Sequence, residues 1–151
     1  MIEHGVHTDQ INIQQIYDVR RTIETRIATL ASIRRSDAEA KDILALAAEM
    51  EASRNTPARL MESDLAFHMA LAKASGNPVY VLLIGAFQGI TRQTWPIGWK
   101  SRTTQASRDL MIATHVELSQ AVAAGNPQAA LDCMTRHFDE SVRALLAAGM
   151  S

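Results

Sequence analysis

The chain has 151 residues, 47% hydrophobic and 21% charged, the size of one globular domain with a single core and little room for a second. Its 15 Lys and Arg against 16 Asp and Glu leave a net charge of -1, which excludes the basic surplus of a self-sufficient nucleic-acid binder. A single cysteine, Cys133, excludes a disulfide framework and paired-cysteine zinc modules; with no signal-peptide start and no bilayer-length apolar run, a cytoplasmic chain without a membrane partner is expected.

Residues 1–10, with His4, Gly5 and His7, read as a flexible leader before a domain over 11–148. No Gly or Pro falls between Val6 and Thr56, so long helices joined by short turns are expected. The first helix is predicted over Ile11–Ile33. The second, Asp37–Ala52, opens on the capping-box spacing Ser36-Asp37-Ala38-Glu39, and the third, Pro57–Ala74, opens on a Thr56 cap and a first-turn proline. Gly76-Asn77-Pro78 and Gly125-Asn126-Pro127 each combine a left-handed helix stop, a cap and a first-turn proline. They separate Pro57–Ala74 from the fourth helix, Pro78–Thr94, and the fifth, Arg102–Ala124, from the sixth, Pro127–Leu146. Trp95-Pro96-Ile97-Gly98-Trp99 reads as the most irregular connection. These signals predict an all-α antiparallel bundle.

Several polar residues fall on its apolar faces. Asp64 and His68 share one face of the third helix, about 5–6 Å apart at their β-carbons. His115 interrupts the stripe Met111, Leu118, Val122, and His137 lies beside Ala130, Met134, Phe138, Val142 and Leu145. Burying such groups unpaired costs on the order of 1–3 kcal/mol each, and one divalent transition metal (Zn, Ni, Fe, Co or Mn) would satisfy all four. Hydrogen-bonded core histidines and a solvated Asp-His pair are the alternative reading.

In the first helix Arg20 interrupts the stripe Ile13, Ile16, Ile23, Ile27, Leu30. It is expected either to pair with Glu24 one turn on or to grip a ligand carboxylate through its planar fork of donors. The fourth helix is apolar almost all round, which places it at the centre or under a second subunit of a homodimer. Gln88 and Arg92 on that helix are candidate effector-binding residues lining a cavity, although solvent exposure at the helix end accounts better for Arg92.

Tyr17-Asp18-Val19-Arg20-Arg21-Thr22-Ile23-Glu24, Asp64-Leu65-Ala66-Phe67-His68 followed by Ala74-Ser75-Gly76-Asn77-Pro78, Thr114-His115, and Met134-Thr135-Arg136-His137-Phe138 resemble the FCD domain. That is the C-terminal effector-sensing domain of FadR-type regulators in the GntR family of bacterial transcription factors. The resemblance implies a dimerising bundle of six or seven helices with a central metal-binding cavity. It implies Asp64, His68, His115 and His137 as metal ligands, Arg20 as an effector-binding residue and a small organic acid as effector. It also implies that DNA is reached only through a winged helix-turn-helix domain, which is not expected within this chain.

Two other functions compete with the sensor. A metal-dependent enzyme, a hydrolase activating water, would need a general base, for which Glu24 and Glu117 are the nearest candidates. A purely structural dimerisation module would close the metal's coordination with four side chains.

Overall fold

The computed structural model describes residues 2–7 and 11–151, and among these it contains seven helices and no strand. They are α1 (Ile2–His7), α2 (Ile13–Arg34), α3 (Asp37–Ala52), α4 (Pro57–Ala74), α5 (Pro78–Ser101), α6 (Gln105–Ala123) and α7 (Pro127–Ala147). The all-α bundle expected from the scarcity of Gly and Pro is the architecture found.

The helix ends follow the chemistry of their caps. Asn12 accepts from the Gln15 amide while the Gln15 side chain returns to the Asn12 N–H, a reciprocal cap that starts α2 two residues after the expected Ile11. Ser36 and Glu39 do the same for α3. Thr56 makes no side-chain cap, and α4 relies on Pro57 alone, contrary to expectation. Thr104 rather than the expected earlier start opens α6, its hydroxyl accepting from the Ser107 amide at 3.1 Å.

Gly76 and Gly125 both have positive φ, 74° and 69°, the left-handed conformation that ends a helix without a Cβ clash. Two arginines at the end of α2 serve these same turns. Arg34 donates to the Ser75 carbonyl at 3.1 Å, and Arg35 donates to the Val122 and Ala123 carbonyls, so charged forks neutralise the C-termini of α4 and α6.

Two expectations need correcting. Residues 2–7, read as part of a flexible leader, form α1, while residues 1 and 8–10 lie outside the described residues. Helix α1 packs on α5: Gly5 is buried beside Ile11, and the Glu3 side chain lies over Gly89, where a Cβ would stand 1.6 Å from its carboxylate oxygen and oblige that side chain to move. The Trp95–Trp99 stretch is helical rather than irregular, with Pro96 inside α5. An interior proline costs about 3 kcal/mol of helix stability. Here Trp95 and Trp99 stack across it with centroids 5.4 Å apart and an interplanar angle of 15°, and Trp99 is buried, which offsets that cost.

The main packing partner of α2 is α7, distant in sequence, and α2 also meets α4 and α6; α5 lies against α4 and α7. The core joins Ile27, Ile43, Leu60, Phe67, Leu118 and Phe138 with their neighbours. One consequence is that the inward faces of α2, α4, α6 and α7 meet at a common centre.

Candidate metal and effector site

At that centre Asp64 and His68 of α4, His115 of α6 and His137 of α7 are all buried. The three imidazoles offer ring nitrogens that all lie within 4.8 Å of one another. Asp64 Oδ1 stands 3.2 Å from His68 Nε2 and 3.0 Å from His115 Nε2, so the four residues singled out in the sequence are brought together.

Each of the first three is oriented by a further group. His115 Nδ1 lies 2.7 Å from the Met111 carbonyl, which only accepts, so Nδ1 carries the hydrogen and Nε2 faces Asp64. His68 Nδ1 donates to Glu24 Oε1, which turns its Nε2 to Asp64 Oδ1. The Trp95 indole N–H donates to Asp64 Oδ2 at 2.8 Å. His137 differs: its Nδ1 is a buried polar atom with no hydrogen-bond partner among the described residues. A native core leaves such atoms unpaired only with a cause, and a metal ion is one.

Arg20 and Glu24 of α2 complete the wall. The Arg20 guanidinium is 2.9 Å from Glu24 and lies about 5 Å from the ring centres of Tyr17 and Phe138, which hold it in place. Arg20 thus pairs with Glu24, the first of its two sequence alternatives, and its side chain also faces a cavity. That cavity, about 50 Å³, is lined by Arg20, Asp64, His68, His137, Gln88 and Trp95 among others. A second, of about 40 Å³, shares Asp64, Trp95 and His137 with it and is bounded by Arg102. Each exceeds the roughly 10–15 Å³ that one water needs. Gln88 thus stands where expected, its amide donating to the Leu65 carbonyl. Arg92 does not: Thr91 and Trp95 on either side of it line the cavity, while Arg92 lies on the flank of α5 and pairs with exposed Glu62.

The charges are mutually supporting. Burial opposes ionisation of Asp64, yet His115 and His68 hold its carboxyl well below the usual range. Burial opposes the Glu24 carboxylate too, and His68 and Arg20 overcome it, lowering its pKa. Burial disfavours the His68 imidazolium, but Glu24 and Asp64 carry its pKa up to about 9. His137 goes the other way, depressed by burial and by the neighbouring His115 and His68. An imidazole that resists protonation, beside two whose Nε2 atoms converge on one carboxylate oxygen, is a donor set suited to a divalent transition metal.

Glu24 was legible only as a partner of Arg20 or as a base; its contact with His68 joins α2 to α4 across 44 residues, a distance over which local spacing carries no signal. Neither carboxylate weighed as a general base is free for that role: Glu24 is committed to Arg20 and His68, and Glu117 pairs with Arg136 at the surface, 2.7 Å away.

The FCD domain family matches residues 15–140. The chain is 30% identical over 131 residues to the HTH-type transcriptional regulator LutR of Bacillus subtilis (strain 168), covering 84% of this chain and 59% of the relative. It is 31% identical over 106 residues to the fatty acid metabolism regulator protein of Shewanella denitrificans, covering 70% and 42%. It is 26% identical over 144 residues to the protein of that name from Escherichia fergusonii, covering 93% and 58%. The chain thus spans about half the length of these curated relatives. With the family match running through the helices that carry Arg20, Asp64, His68, His115 and His137, this chain belongs to the FCD domain family.

Proposed function

We propose that the chain is the effector-sensing, metal-binding and dimerising domain of a GntR/FadR-type transcriptional regulator. Asp64, His68, His115 and His137 hold a divalent transition metal, and the observation that carries this is the unpartnered His137 Nδ1 beside three converging ligand residues. When bound, the metal supplies Lewis-acid coordination for a carboxylate. The residues around it do the rest: Glu24 fixes the tautomer of His68, the Met111 carbonyl fixes that of His115, and Arg20 and Gln88 face the cavity that receives a small organic acid. DNA is contacted through a winged helix-turn-helix domain outside this chain, in the cytoplasm. No described helix is long and apolar enough to cross a membrane.

The sensor reading is tested by melting metal-loaded protein with a panel of small carboxylic acids. A ligand that binds only the folded state raises the midpoint, by the equivalent of about 2.7 kcal/mol at 100 times its Kd. Arg20→Gln is expected to remove most of that rise. Turnover of an acid, or no response from metal-loaded protein to any of them, rejects the sensor.

For the dimer, α5 supplies a surface. Val79 is 57% and Leu82 72% exposed, and Ala86 continues the same helical face in solvent. This is the apolar helix that was expected at the centre or under a second subunit, and its exposure favours the latter. Leu82→Glu is expected to convert a dimer in sedimentation equilibrium to a monomer; an unchanged mass places the interface elsewhere.

A further inference from the structure

Trp95 belongs to the segment that the sequence leaves as an irregular connection, yet it touches the centre of the site. Its indole N–H reaches Asp64 Oδ2 at 2.8 Å, while Oδ1 is the oxygen that faces His68 and His115. An indole has one hydrogen to give, no lone pair to accept or coordinate with, and no accessible ionisation. It therefore occupies one carboxylate oxygen without competing for a cation. A carboxylate left free can turn either oxygen, or both, toward a metal.

The ring is held by more than this bond. Trp95 stacks on Trp99, and the Arg108 guanidinium covers the Trp99 ring at 4.7 Å, its Nε donating to the Arg102 carbonyl at 2.9 Å. The stack runs from Asp64 on α4 through α5 to the first turns of α6. Trp95 also walls both cavities beside the histidines. Its placement is thus set from the far side of the site, independently of the four ligand residues.

We propose that Trp95 is the positioning residue of Asp64, holding Oδ2 so that only Oδ1 serves a metal and the position a two-oxygen carboxylate would take stays open for an external ligand. The inference rests on the metal reading above. A partner of this kind, when lost, typically costs 10–100-fold in metal affinity.

The test uses Co²⁺ added to protein stripped of metal, followed by visible absorption, for wild type, Trp95→Phe and Trp99→Phe. Trp95→Phe keeps an aromatic ring in the stack while removing the N–H and part of the ring, and Trp99→Phe makes the same loss of ring size with the Trp95 N–H retained. It is expected to bind Co²⁺ about 10–100-fold more weakly, with a changed d–d spectrum, while Trp99→Phe matches wild type. Equal affinity and spectrum in Trp95→Phe overturn the proposal and leave the metal reading standing. Wild-type protein that takes up no Co²⁺ overturns both. A measurement on the wild type alone guards against a variant that fails to fold: the Trp95 indole N–H resonance should exchange slowly and move when diamagnetic Zn²⁺ is added. Exchange at the rate of an exposed indole overturns the proposal as well.

Discussion

Glu24→Ala is expected to destabilise the fold by about 3–5 kcal/mol, because removing one member of a buried ion pair leaves the other charge uncompensated. Glu24 is 1% exposed and serves two cations at once, the 6% exposed Arg20 and His68. Arg20 cannot escape the penalty by giving up its proton, since a guanidinium stays charged in proteins. For a chain of this length the midpoint of thermal unfolding should fall on the order of 10 °C. Glu24→Gln should fall less, because an amide oxygen still accepts from Arg20. The surface pair Arg92–Glu62 is the control: its side chains remain hydrated when parted, so Glu62→Ala should melt with the wild type. If Glu24→Ala also melts with the wild type, the linkage between α2 and the histidines is not structural.

The second large effect is that of metal. Chelator-treated protein given Zn²⁺, Ni²⁺ or Co²⁺ should gain about 4 kcal/mol at a free ion concentration 1,000 times Kd, again on the order of 10 °C. His115→Ala should abolish the gain, since it removes one of the three converging nitrogens. The pH dependence supplies a second, signed readout. In stripped protein His68 keeps its proton up to about 9 against an ordinary 6.5, so the folded state binds more protons than the unfolded state across that window. Its contribution is fully present below 6.5 and is lost as pH rises through about 9. His137 is depressed, so its contribution is lost as pH falls below 6.5. Stripped protein should therefore be most stable near 6.5. Metal displaces the proton of His68, so the alkaline loss should vanish on loading. Melting curves across pH with and without Zn²⁺ decide this, and an alkaline loss that persists in loaded protein places the ion elsewhere.

A helix face is a local property, which is why Asp64, His68, His115 and His137 could be picked out before any coordinates. Each interrupts or borders an apolar stripe, and a side chain's direction from a helix follows from residue spacing alone. Arg20 and Gln88 were legible on the same ground. Arg92 was open to two readings, cavity or solvent, and the structure takes the second: Thr91 and Trp95 line the cavity, while Arg92 lies on the flank of α5 that meets exposed Glu62 of α4. Pro96 misled for a related reason. Its missing N–H is a local cost visible in the sequence, whereas the Trp95–Trp99 stack and the burial of Trp99 that sustain the helix depend on α4 and α6 being in place.

Composition, the two Gly-Asn-Pro turns and the helical periodicity by themselves determined an all-α bundle and the residues that would turn inward, because propensity, capping and amphipathic spacing act over a few residues. Only the tertiary structure decided that Glu24 bridges Arg20 to His68, that Trp95 holds Asp64, that His137 Nδ1 is left without a partner and that residues 2–7 pack on α5. Those contacts join residues far apart in the chain, and their energies exist only once α2, α4, α5 and α7 exclude water from the space between them.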